Sequence, residues 1–252
     1  MLLREGDARD NGVDRRLAST LAAVAGALNA SAFHAVGFFS ANMTGNVSAL
    51  SDQLATGDFV AAVFFLTIVL AFVAGAALST LLVNVGRERH IGGIYAYSIL
   101  LESVLLALLG GADLYLSGAH RVTTLVLSLS FLMGLQNAVV TQISNTRVRT
   151  THVSGMLTDI GIGLGVLCDI AFGRQRDRDS AEIRAKLRLH LTTVLSFFLG
   201  GIVGVFVYRE VGGFLLFGVA AILFAIAIPG ALRGRSIPQV AITRGLWWNR
   251  HL

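Results

Sequence analysis

The stretch DFVAAVFFLTIVLAFVAGAALSTLLV at 58–83 decides the fold. After Asp58 it holds no charged residue, and its only polar side chains are Thr67, Ser79 and Thr80. About 20 apolar residues in a helix cross the roughly 30 Å of bilayer hydrocarbon. A membrane β-strand would alternate in polarity every second residue, and this run does not. Five more runs of spanning length lie around it, at roughly 17–39, 92–110, 122–140, 189–208 and 212–231. The expectation is an all-α, polytopic membrane bundle of about six transmembrane helices.

The composition agrees. Of 252 residues, 54% are hydrophobic and only 14% charged, and the mean hydropathy is +0.71. Soluble domains carry roughly a quarter charged residues, so the outer surface needs lipid as its solvent. The net charge of +5 admits nucleic acid as a partner, but the basic residues sit in loops between apolar runs, where a membrane surface fits better. The one cysteine, Cys168, excludes a disulfide framework and a thiolate metal site, and its apolar surroundings suggest inert packing. Residues 1–16 alternate both charge signs, and the apolar stretch after them is too long for a signal-peptide core.

Orientation follows from the loops, because cytoplasmic loops are rich in Lys and Arg. With six spans and the N-terminus inside, only Arg121 and Arg209 of the 20 basic residues fall outside. A further run, 153–172, would put the charged linker 173–188 outside if it crossed, so it is expected not to cross. Three parts result: a cytoplasmic segment 1–16, a transmembrane domain 17–232 and a basic cytoplasmic tail 233–252. The expected location is the bacterial inner membrane, with both ends cytoplasmic. The linker GRQRDRDSAEIRAKLR resembles a helix start, with Asp179 and Glu182 at capping-box spacing and Glu182 one turn from Lys186. It is either a solvated face or a docking surface. In the tail, Trp247 and Trp248 either rest at headgroup level or belong to a disordered end.

The domain contains an internal repeat. AGALNAS at 25–31, NMTGN at 42–46, FVAGAALSTLLV at 72–83 and IGG at 91–93 recur in the same order. Their counterparts are MGLQNAV at 133–139, HVSGM at 152–156, FFLGGIVGVFVY at 197–208 and VGG at 211–213. Repeat one covers about 17–110 and repeat two about 122–232. Three spans per repeat reverse the chain, so the second copy is inverted. That is an architecture of secondary transporters, although duplication leaves the same trace in a channel or scaffold.

Within the repeats, NMTGN and THVSGM place polar residues inside apolar sequence. Thr44 and Ser154 are expected N-caps, followed by Gly45 and Gly155. Residues 45–56 give a helix of about 18 Å at 1.5 Å per residue, too short to span. It suits a half-helix that enters and returns, which is tolerated at membrane depth only inside protein or beside a cavity. The two starts, one from each face, would then form a dipolar, anion-friendly pocket near the midplane. Alternatively both are surface loops. In the second copy, Asp159 and Asp169 argue against lipid on one face.

Asn29, Gln136 and Asn137 sit at matched places in spans one and four, where buried amides need partners. They serve substrate or helix-to-helix hydrogen bonds. With Thr44, Gly45, Asn46, Ser154 and Gly155 they are the expected substrate-binding residues of the pocket. Glu102 and His34 are read as mid-span, where a titratable group suggests proton coupling and a satisfied structural pair is the alternative. Glu102 falls opposite Ile222 in the repeat and breaks its symmetry. Arg147, Arg149 and His152 precede the second start and either hold an anion or serve as inside-positive residues. Small residues four apart, Gly26 with Ala30, Gly75 with Ser79, Gly161 with Gly165 and Gly200 with Gly204, allow close helix approach, within the chain or at a homo-oligomer face. With only Pro229 and Pro238 present, helix breaks are expected at glycines and caps. No catalytic, metal or cofactor motif occurs, and the six histidines are scattered.

ANMTGN at 41–46 and MGLQNAVVTQISNTRVRTTHVSGMLTDIGIGLG at 133–165 resemble the YoaK family of bacterial inner-membrane proteins, over roughly 17–232. The resemblance implies a bundle of about six helices and no assigned activity, substrate or cofactor. Thr44, Gly45 and Asn46 match the family's TGN. Ser154 stands where Thr is common, and Asn29 where Asp is common. The functional expectation is a secondary transporter or permease-like protein for a small solute. A non-transporting scaffold docking through 173–188 is the alternative, and an enzyme is not expected.

Overall fold

A computed structural model describes residue 2 and residues 11–172 and 180–235. Its elements are α1 (Asn11–Val36), α2 (Met43–Thr56), α3 (Phe59–Glu88), α4 (Ile94–Tyr115), α5 (Gly118–Ile143), α6 (Val153–Ala171), α7 (Ser180–Val211) and α8 (Phe214–Arg235). Described residues form no strand. By length and composition, seven of these helices suffice to cross a membrane, all except α2. That is one more than the six spans expected, and the addition is α6.

Contacts along the helices fix their directions. Arg121, at the start of α5, pairs with Asp113 near the end of α4 and with Tyr208 near the end of α7. Helix α5 therefore runs opposite to α4 and α7. It ends where α7 begins, so the chain between them returns to the end of the bundle it left. Helix α6 lies on that return path, so six helices run from one end of the bundle to the other. Only Met156 of α6 is buried.

The repeat is visible in the packing. Helix α1 lies parallel to α7, and α3 parallel to α5, each pair brought together by glycine. A Cβ on Gly26 would collide with the Phe197 carbonyl, and one on Gly200 with the Ala23 carbonyl. In the other pair, Gly134 meets the Phe72 carbonyl and Gly75 the Phe131 carbonyl. These are the same contacts at repeat-equivalent positions. Helices α4 and α8 run antiparallel against each other, with the Ser103 hydroxyl donating 2.8 Å to the Ala220 carbonyl. Helix α2 packs on α3 as α6 packs on α7. The repeats are therefore inverted, since α1 and α5 point opposite ways. The core is a seam of Leu17, Leu21, Leu28, Leu132, Met133 and Leu223, among others. Phe198, Val203 and Phe206 on α7 and Leu70 and Val73 on α3 stay exposed, as a lipid-facing surface must.

Some expectations change. Gly161 and Gly165 approach no other helix among the described residues. Cys168 is exposed rather than packed, because it lies on the open face of α6. Pro229 lies inside α8 and does not end it. Lys186 and Glu182 pair at 2.8 Å, both exposed; such a pair contributes little. The capping reading at Asp179 and the Trp247–Trp248 tail fall outside the described residues.

A candidate binding cavity between two helix starts

Each repeat folds back into the bundle after its first helix. Beyond α1, Gly37 takes φ 79, a left-handed value that glycine adopts at no steric cost. The chain then retraces α1 until the Ala41 N–H donates 2.8 Å to Asn29 Oδ1. Asn29 is about two turns inside the end of its helix, so α2 begins within the bundle. It runs outward for 14 residues, about 21 Å at 1.5 Å per residue. Gly57, at φ 83, ends it, with its N–H on the carbonyls of Gln53 and Leu54. In the second repeat, Asn145 and Thr146 supply the positive φ. The hydroxyls of Thr150 and Thr151 then donate 3.3 and 3.0 Å to Asn137 Oδ1, and α6 starts beside them. Asn29 and Asn137 thus hold the two returning segments in the same way.

The caps lie two residues earlier than expected. Asn42, not Thr44, caps α2, its Oδ1 accepting 3.1 Å from the Gly45 N–H. His152, not Ser154, stands at the cap of α6 and makes no side-chain cap bond. Both cap side chains lie over the glycine three residues on, where a Cβ would collide with them. That explains glycine at 45 and 155. Thr44 and Ser154 are instead first-turn residues with exposed side chains.

The two helix starts share one cavity of about 750 Å³. It is lined by the repeat pairs Asn29 and Asn137, Thr44 and Ser154, and Phe72 and Phe197. Gly45, Arg149 and His152 line it too. Among the described residues, no aspartate or glutamate does. Gly155 and Arg147 line a second cavity of about 430 Å³, which shares Arg149 and His152 with the first. Arg147 lies 3.6 Å from Asp14 of α1.

Other expected site residues lie elsewhere. Asn46 is buried, its Nδ2 3.4 Å from the Phe39 carbonyl, and it does not line the cavity. Gln136 is the repeat partner of Leu28 rather than of Asn29, so its side chain faces a different way from that of Asn137. Its Nε2 donates 3.0 Å to Glu102 Oε1. Glu102 is fully buried (0% exposed) between α4 and α5, whereas its repeat partner Ile222 is 51% exposed. Glu102 Oε2 and Gln136 Oε1 have no hydrogen-bond partner among the described residues. His34 is not mid-span: it lies exposed in the last turn of α1, edge-on to Tyr208 at 6.3 Å.

Sequence reasoning passed over Asp113, Arg121, Tyr208, Thr150 and Thr151. The signal for the first two was present, since Asp113 and Arg121 flank a short helix–helix turn, where opposite charges meet. Arg121 Nε donates 2.7 Å to Asp113 Oδ1, and its Nη2 2.5 Å to the Tyr208 hydroxyl. Among the described residues, no three His, Cys, Asp or Glu side chains gather as a metal site would require.

Six end-to-end helices in two inverted repeats, with two inward helix starts about one cavity and seven helices apolar enough to span, define a polytopic helical membrane protein. A family profile described as "protein of unknown function (DUF1275)" matches residues 17–229. The chain belongs to that family, in agreement with its resemblance to the YoaK proteins. Comparison with curated proteins and with solved structures finds no match.

Proposed function

We propose that this protein is a secondary transporter or permease-like carrier for a small solute, with its binding site in the cavity between α2 and α6. The observation that carries the reading is that Thr44 and Ser154, at equivalent starts of inverted half-helices, line one cavity. Transporters place substrate at a repeat interface, against discontinuous helices whose ends supply the polar groups. Asn29, Asn137, Thr44 and Ser154 are the proposed solute contacts. A scaffold would have no need to keep both motif loops about a cavity in the bundle, so docking through 173–188 is the weaker reading. Nor is catalysis needed to account for any of these side chains.

Glu102 is the proposed coupling residue. An unpaired buried carboxylate costs several kcal/mol, which a bound proton removes. His34, at the end of its helix, is not assigned that role. The protein is placed in a bacterial inner membrane with both ends cytoplasmic. In support, Arg87, Arg147 and Arg188 cluster at the end where α1 starts, against Arg121 and Arg209 at the other. The test is solute-dependent proton flux into proteoliposomes across a solute panel. At least one solute is expected to drive flux that Glu102→Gln abolishes. Wild type and Glu102→Gln behaving alike with every transported solute would overturn the coupling role. Transport of nothing would overturn the carrier.

A further inference from the structure

We infer that the solute is a small anion bearing oxygen acceptors, a carboxylate or an inorganic oxyanion; this rests on the carrier reading and narrows it. Two helix N-termini facing one cavity supply partial positive charge and free N–H groups. That of α6 has no side-chain cap to satisfy it. The independent observation is Asn29. It is 8% exposed and lines the cavity. Asparagine amides are easily assigned backwards, but here the partner decides. The Ala41 N–H can only donate, so the atom it meets is the oxygen. The amide NH2 is what remains, and Asn29 Nδ2 has no hydrogen-bond partner among the described residues. Carried on an otherwise buried side chain at the cavity wall, that NH2 is placed to donate to a ligand oxygen.

The rest of the lining has the same polarity. The Thr44 and Ser154 hydroxyls donate as readily as they accept. Arg149 lines the cavity with no ion-pair partner among the described residues. Asp159 does not line this cavity; it lines the second one, 3.7 Å from His190. A cation would meet two positive helix ends, an amide NH2 and a guanidinium, with no carboxylate to receive it. A neutral solute would leave the two positive helix ends without charge complement. Phe72 and Phe197 flank the cavity on either side and suit an anion with an apolar body, or bound bare.

The test is equilibrium binding to the purified full-length chain in lipid nanodiscs, read as protection of a single cysteine from a methanethiosulfonate reagent. The cysteine is Ser48→Cys, which lines the cavity without being a proposed contact, in a Cys168→Ser background. The probes are sodium sulfate, phosphate, acetate and benzoate, against choline chloride and glucose at matched ionic strength. At least one oxyanion is expected to protect. Arg149→Gln should weaken that protection roughly tenfold or more, and Arg149→Lys should restore part of it. Asn29→Asp keeps the acceptor for Ala41 but replaces the free donor by a charged oxygen, and should abolish it. Protection by choline or glucose alone would overturn the anion assignment while leaving a binding site. Protection by no probe would overturn both. Protection that Arg149→Gln and Asn29→Asp leave unchanged would mean an adventitious ion only, and would also overturn the assignment.

Discussion

Asn29 and Asn137 show how one residue type, placed twice, organises the molecule. Each uses its amide oxygen to hold a returning segment, Asn29 through Ala41 and Asn137 through Thr150 and Thr151. Their importance was legible from apolar sequence interrupted by amides at matched places. Their partners were not, because Ala41 offers only a backbone N–H and nothing in the sequence marks which amide Thr150 and Thr151 face. The neighbouring Gln136 shows where one-dimensional matching fails. One position along a helix rotates a side chain by about 100°, enough to move it from the cavity side to Glu102. That pair is a structural commitment as well as a proposed coupling site. Gln136→Leu removes the one hydrogen bond Glu102 receives among the described residues and should destabilise the protein by about 1–3 kcal/mol, measured by denaturant unfolding in detergent. Glu102→Gln in the same assay should be neutral or stabilising, because it removes a buried ionisable group.

At the scale of the helix, length and apolarity alone separate α2 from the spans but not α6, which at 19 residues is long enough to cross. Loop charges argued against its crossing, and the direction of its neighbours explains why. The half-helix starts were placed within two residues, and the error has a physical source. Thr and Ser look like caps in sequence, yet asparagine and histidine stand at the caps, and glycine follows because their side chains occupy its Cβ space. Glycine spacing marked real close contacts at Gly26, Gly75 and Gly200 but not at Gly161. Spacing reports what a helix permits, not what it meets. Gly134→Val should cost about 1–3 kcal/mol through the Phe72 backbone it would strike. Gly161→Ala, in open space within a helix, should gain about 0.5–1 kcal/mol. Thermal unfolding of both variants in the same detergent checks the contrast.

Across the whole molecule, the two ends of the bundle are tied differently. At one end Arg121 joins α4, α5 and α7 through Asp113 and Tyr208. At the other, the Arg147–Asp14 contact at 3.6 Å is longer, and cavities run inward past Arg149 and His152. The Asp113 side chain is buried, so Arg121→Gln leaves its charge unpaired and should destabilise by on the order of 3 kcal/mol. Adding Asp113→Asn should return part of that loss, read by the same unfolding assay. The polytopic helical bundle and the repeat were legible because hydropathy and motif order are properties of the chain itself. The pairing of α1 with α7 and of α3 with α5 was not, since it depends on which glycine faces which carbonyl. The central claim is that two helix starts from opposite repeats meet at one cavity. Its most direct test is cross-linking of Thr44→Cys with Ser154→Cys, in a Cys168→Ser background, by a short bifunctional thiol reagent in native membranes. The account predicts an intramolecular link and slow, solute-sensitive labelling of each cysteine alone. Rapid labelling of the two cysteines from opposite faces, with no link formed, would contradict it.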